Sequence, residues 1–142
     1  MRWVLLDEVV EIEKGVQARS RSRVPAAEGN PETLMIEMMA QTGGMLLGAE
    51  SNFADDVVFT KIESADFDAG FNAGDPLEIS ARAEGLRPEG AWFDGEIRSA
   101  GGSAAHCRFM LMAVNRLVPG RTESVTFHPA FMNHFHIREK VR

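Results

Sequence analysis

The sequence predicts an α+β domain in which a curved antiparallel sheet wraps one long central helix, and three observations carry that expectation. The run Leu34-Met35-Ile36-Glu37-Met38-Met39-Ala40-Gln41 is apolar nearly all round at helical spacing. An earlier segment, Val16 to Val24, alternates with a period of two. Later segments alternate as well, at Leu77 to Leu86, Trp92 to Ser99 and Ser103 to Val114, with turn signals at Arg87-Pro88-Glu89-Gly90 and Ala100-Gly101-Gly102 between them. A helix with so little solvated surface has to be enclosed, and a sheet folded about it is the economical enclosure.

The elements follow in chain order. Trp3 to Glu13 is rich in Val, Leu and Ile, and Glu13-Lys14-Gly15 supplies a turn into the alternating segment, so the first element is a β-hairpin. In its second arm Ala18, Ser20, Ser22 and Val24 share one face, and Gln17, Arg19, Arg21 and Arg23 the other. The arginine ridge reads as a solvated strand face; its functional alternative is a docking edge for an acidic partner or a phosphate. The helix is placed at about residues 31 to 48, because Asn30 can cap it, Pro31 is pre-shaped for its first position and Glu32 puts negative charge in the first turn. The loop Gly48-Ala49-Glu50-Ser51-Asn52 leads to a strand from Val57 to about Ala65, and the glycine-rich connection 69–76 leads into the three later strands. The domain is expected over residues 1–118, with 119–142 a C-terminal tail docking on the domain or on a dimer mate.

At 142 residues and 44% hydrophobic content the chain can build one sizeable core. A net charge of -6 and an isoelectric point near 5.2 argue against a dedicated nucleic-acid binder, which needs a basic surface for phosphates. The N-terminal apolar run turns acidic too soon for a signal peptide and no later run reaches membrane-span length, so a cytoplasmic protein is expected, with no membrane partner. One cysteine, Cys107, cannot form an internal disulfide framework or a cysteine-rich zinc site. No cofactor and no metal are expected: His134 and His136 match no strong ligand motif.

Glu37 is the candidate functional residue. Burying an ionised carboxylate without partners costs several kcal/mol or raises its pKa, so glutamate is seldom placed among core residues for packing alone. Thr33, Glu37, Gln41, Gly44 and Gly48 fall on one narrow stripe, and Glu37 is expected in a dry, mostly apolar cleft. The structural alternative is a carboxylate satisfied by Gln41, Thr33 or a strand residue. Met35, Met38, Met39 and Met45 read as core that could also form an adaptable wall for an acyl chain. Gly43 and Gly44 cost the helix about 1 kcal/mol each, which points to close approach of a strand or ligand. His106 and Cys107, adjacent on a strand, face opposite sides and cannot pair as base and nucleophile. In the tail, Phe131 and Phe135 are expected to dock, and a histidine among His128, His134 and His136 could alternatively reach Glu37.

The run Leu34-Met35-Ile36-Glu37-Met38-Met39-Ala40-Gln41-Thr42-Gly43-Gly44 resembles the central helix of the FabZ/FabA-type 3-hydroxyacyl-acyl carrier protein dehydratases, which have the hotdog fold. The segment from Val4 to Gly15 is similar to that family's opening strand and turn, and Gly74-Asp75-Pro76-Leu77 to the turn entering its long strands. The resemblance implies a substrate that is an acyl thioester of acyl carrier protein or coenzyme A. It also implies a homodimer or higher homo-oligomer with sheets paired edge to edge, or a pair with a paralogous subunit. Glu37 matches the family's catalytic carboxylate and Gln41 the amide that steadies it. The backbone N–H groups of Glu32 and Thr33, at the helix start, would hold the thioester oxygen, and Gly44, on the Glu37 stripe, is expected to bind substrate. The family's histidine, on the loop before the helix, has no counterpart in Pro25-Ala26-Ala27-Glu28-Gly29-Asn30-Pro31-Glu32-Thr33, and Glu32 stands where the family has glycine.

Dehydration needs a base for the α-proton, an acid for the leaving hydroxyl and N–H groups on the carbonyl. Hydrolysis asks less: one carboxylate activates water or attacks, and amides hold the oxyanion. Three readings stand open: a dehydratase-like enzyme converting 3-hydroxyacyl to enoyl thioester, a thioesterase built on Glu37, and a non-catalytic substrate-binding subunit of a paired dehydratase.

Overall fold

The structure is a computed structural model and describes residues 4–26, 30–68, 72–100 and 102–142. The expected strand start at Trp3, residues 27–29 of the loop before the helix, residues 69–71 of the glycine-rich connection and Gly101 lie outside the described residues. Elements run β1 (Glu8–Glu13), β2 (Gln17–Arg23), α1 (Pro31–Ala49), β3 (Asp56–Phe67), β4 (Pro76–Arg87), β5 (Gly90–Ser99), β6 (Gly102–Val114), α2 (Pro129–His134) and α3 (Ile137–Lys140). The strands form one six-stranded sheet in the order β1-β2-β4-β5-β6-β3, with every neighbouring pair antiparallel. α1 packs against all six strands, as a sheet curved around it requires. This is the hotdog fold.

Local chemistry explains the placement. Asn30 caps α1 by accepting the Glu32 N–H through its side chain at 3.0 Å, and Pro31 occupies the first turn. In β2, Ala18, Ser20 and Ser22 are buried, as is Val24 just beyond it, and Arg19, Arg21 and Arg23 are exposed, as period-two alternation requires. The inward serines are satisfied: the Ser20 and Thr42 hydroxyls are 2.6 Å apart, Thr42 donates to the Met38 carbonyl at 2.8 Å, and Ser22 donates to the Leu5 carbonyl. The arginines have partners on the solvated face, Arg19 with Glu11 at 2.6 Å, Arg21 with Glu8 at 3.2 Å and Arg23 with the Gly74 carbonyl at 3.2 Å.

The core lies between helix and sheet, where Met35, Met38, Met39, Met45 and Leu46 meet Phe93, Ile97 and Phe109. Gly43 permits a close approach of helix to sheet, since a Cβ there would stand 3.2 Å from Phe93 and 3.4 Å from Phe109. The tail joins the same core: Phe127, Met132, Phe135 and Ile137 are buried, and Phe131 packs against the cluster. Beyond α3 the chain runs alongside the β1 edge, with Arg142 N–H donating to the Ile12 carbonyl at 2.8 Å and Lys14 N–H to the Arg142 carbonyl at 3.0 Å. The opposite edge, β3, carries exposed Phe59 and Ile62. Among the described residues no helix is long and apolar enough to cross a membrane.

Candidate active site

A cavity of about 580 Å³ opens between α1, the inner ends of β3 and β6, and the tail. Ala40, Gly44, Val57, Phe59, Leu111 and Phe127 make its lining mostly apolar. Its polar groups include Glu37 and Gln41 from α1, and Thr126 and His128 from the tail.

Glu37 is exposed in the single chain, which corrects the expectation of a dry, buried carboxylate. The physical reason is the uneven cover of α1. From Met38 onward every helix residue except Gln41 is buried, whereas Pro31 to Leu34, Ile36 and Glu37 belong to opening turns that the sheet covers incompletely. Apolar neighbours in sequence therefore did not imply burial for Glu37. The carboxylate sits at the cavity's rim and accepts a hydrogen bond from Gln41 Nε2 at 3.2 Å. Gln41 is oriented in turn, its Oε1 accepting the Leu5 N–H at 3.1 Å. The N-terminal segment thus fixes the amide that steadies the acid.

The other expected site residues divide. Gly44 lines the cavity, and a Cβ there would meet only the Val57 side chain, at 3.9 Å. Glu32 and Thr33 are not among the cavity's lining residues, and the Glu32 N–H is already donated to Asn30. The same cap that starts the helix thereby removes one of the amides expected to hold a thioester oxygen. Of the tail histidines, His128 lines the cavity, while His134 packs edge-on against Phe135 and His136 adopts a left-handed backbone (φ 52°) ahead of α3. His106 is exposed beside Glu96, and Cys107 is buried, its thiol pushed up by burial and by the charge of Asp66. Among the described residues no group of three or more His, Cys, Asp or Glu side chains could hold a metal ion.

The tail's part in the cavity was the larger omission of the sequence reading. It depends on Asp56, a fully buried carboxylate at the start of β3. Asp56 accepts the Leu117 N–H at 2.7 Å, the Ser124 hydroxyl at 2.6 Å and the Thr126 N–H at 2.8 Å. Burial pushes its pKa up, but these donors outweigh burial and bring it down to about 2. Val57 N–H donates to Thr126 Oγ1 at 3.1 Å, and Phe127 N–H to Ser124 Oγ at 3.0 Å. Phe127 then lies over Gly48, where any Cβ would collide with its ring. The polar cluster Thr122-Glu123-Ser124-Val125-Thr126 ahead of an aromatic segment is the signal in the sequence that could have pointed to this strap.

Fold and site together define a hotdog-fold protein with an apolar cavity opening beside a helix carboxylate. The chain is 32% identical over 97 residues to the 3-hydroxyacyl-[acyl-carrier-protein] dehydratase FabZ of Chloroflexus aggregans, a match spanning 60% of this chain and 67% of that protein. It belongs to the FabZ/FabA-like hotdog family. No family model matches the chain. Among solved structures, a chain of the dehydratase heterocomplex ApeI:P from Xenorhabdus doucetiae superposes with a TM-score of 0.65 at 22% identity, covering 80% of this chain and 84% of that one. A hypothetical thioesterase protein with coenzyme A from Streptococcus pneumoniae superposes with a TM-score of 0.60 at 13% identity, covering 75% and 84%. At these identities the superpositions speak for the fold.

Proposed function

We propose that the protein binds an acyl thioester with its acyl chain in the apolar cavity and its thioester at the rim, where Glu37 removes the α-proton of a 3-hydroxyacyl group on the way to the enoyl thioester. The observation that carries this reading is a carboxylate held by Gln41 at the mouth of an apolar cavity of about 580 Å³, a volume within the usual small-molecule range. The 32% identity to a FabZ dehydratase supports the choice of substrate class. An exposed rim suits the polar thioester and its carrier, acyl carrier protein or coenzyme A, and the greasy interior suits the chain.

A homodimer through the β3 edge fits the same picture. That edge has exposed Phe59 and Ile62, whereas the β1 edge is flanked by the protein's own C-terminus.

Two further readings rest on specific observations. All four histidines, His106, His128, His134 and His136, follow the helix, so the family's pre-helix acid-base partner is missing and hydrolysis by Glu37 stands as the second activity. The likeness to a chain of a dehydratase heterocomplex supports a paired, substrate-binding subunit as the third. The deciding experiment incubates purified protein with 3-hydroxyacyl and saturated acyl thioesters and follows enoyl absorbance and free thiol separately. Enoyl product is the expected result. Thiol release without enoyl product supports the thioesterase, and binding without either product supports the paired subunit.

A further inference from the structure

We propose that His128 is the oxyanion donor of this site, its Nε2–H holding the thioester carbonyl oxygen while Glu37 moves the proton. The inference rests on the acyl-thioester reading above and adds a catalytic group from the tail, with a defined tautomer.

Four observations lead to it. His128 and Glu37 line the same cavity, and both are exposed at its rim, where the thioester rather than the acyl chain would lie. His128 Nδ1 accepts the Ala130 N–H at 3.1 Å. An acceptor nitrogen carries no proton, so the neutral ring must carry its proton on Nε2, the nitrogen that the cap does not use. The segment leading to His128 is anchored one to four residues earlier by the hydrogen bonds of Ser124 and Phe127 and by the Thr126 N–H on Asp56, so the ring is presented by a held backbone. Finally, the Glu32 N–H is taken by Asn30, the Gln41 amide is engaged with Glu37 and Leu5, and the Thr126 side chain accepts from Val57 N–H and bonds the Asp56 carboxylate through its hydroxyl.

The chemistry closes with one carboxylate. Glu37 takes the C2 proton, and the C2–H electron pair moves into the C1–C2 bond, leaving an enolate oxygen that the His128 Nε2–H stabilises. The enolate then re-forms the carbonyl, its electrons make the C2–C3 double bond, and the C3–O bond breaks. The departing hydroxyl takes the proton from Glu37 and leaves as water, so the carboxylate is regenerated and His128 never changes protonation. A neutral imidazole acting as an electrophile has precedent in enzyme sites. In stepwise form the two proton transfers are separated in time, which removes the difficulty of one carboxylate serving both in a single transition state.

Two crossed substitutions test this. His128→Asn keeps an acceptor for the Ala130 N–H but withdraws the donor at the Nε2 position, and His128→Gln keeps a donor near Nε2 but loses the cap. The expected result for His128→Asn is a fall in kcat of about 100-fold or more, with KM within about threefold and an unchanged melting temperature. His128→Gln should regain about tenfold of that loss despite a less stable tail. The proposal is overturned if Glu37→Gln silences the protein while His128→Asn keeps the wild-type kcat. It is also overturned if the wild type turns over no acyl thioester, a result that removes the underlying reading first and is told apart by its showing in the unmutated chain.

Discussion

The two long faces of α1 are built in opposite ways. On the sheet side, Met35 and Met39 are fully buried and Gly43 lies against the stacked rings of Phe93 and Phe109, whose centroids are 5.6 Å apart. Gly95 on β5 yields space to Met39 there, since a Cβ would meet its Sδ at 2.8 Å. On the other side, Glu37, Gln41 and Gly44 face a cavity roofed by a tail that arrives from more than seventy residues away. One face is filled by neighbours in the sheet and gives stability. The other is left unfilled, so its architecture depends on the strap rather than on the helix.

The largest effect should come from emptying the filled face. Phe93→Ala removes a fully buried ring from the stack and should cost about 3–5 kcal/mol in denaturant unfolding. Loosening the strap should cost less but strike the cavity selectively. A carboxyl lowered from 3.8 to about 2 on folding corresponds to about 2 kcal/mol of stability, so Asp56→Ala should lose about that much. Because the folded pKa is the lower one, this contribution is complete above the unfolded value, declines as the pH falls below it and is gone once the pH has passed through about 2. Acid unfolding of Asp56→Ala should accordingly lack that component, and limited proteolysis should cut the tail before the sheet. The smallest effects separate two glycines of the same stripe. Gly44→Ala has room and should be neutral or stabilising by up to about 1 kcal/mol, whereas Gly48→Ala must displace the Phe127 ring and should destabilise by about 1–3 kcal/mol.

The filled face was legible in the sequence because every signal on it is local. The Asn30 cap, the alternation from Ala18 to Val24 and the methionines at helical spacing each speak of their own neighbours, and the structure has α1 at Pro31–Ala49 where 31 to 48 was expected. The strand after the helix was also readable, but its crossing to the far edge beside β6 was not, since pairing partners leave no mark in a single strand. The cavity face was half legible. The stripe named Glu37, Gln41 and Gly44, yet the exposure of Glu37 and the diversion of the Glu32 N–H to Asn30 depend on where the sheet stops covering the helix and on cap geometry. The Asp56 network joins residues about seventy positions apart, a distance over which spacing carries no information.

The direct test of the cavity face compares wild type with Glu37→Gln in both acyl-thioester binding and turnover. Glutamine keeps the side chain's size and removes the base, so binding should persist within a few-fold while turnover falls by about 10²–10⁴. Equal turnover by the two proteins would contradict any role for this carboxylate in the chemistry.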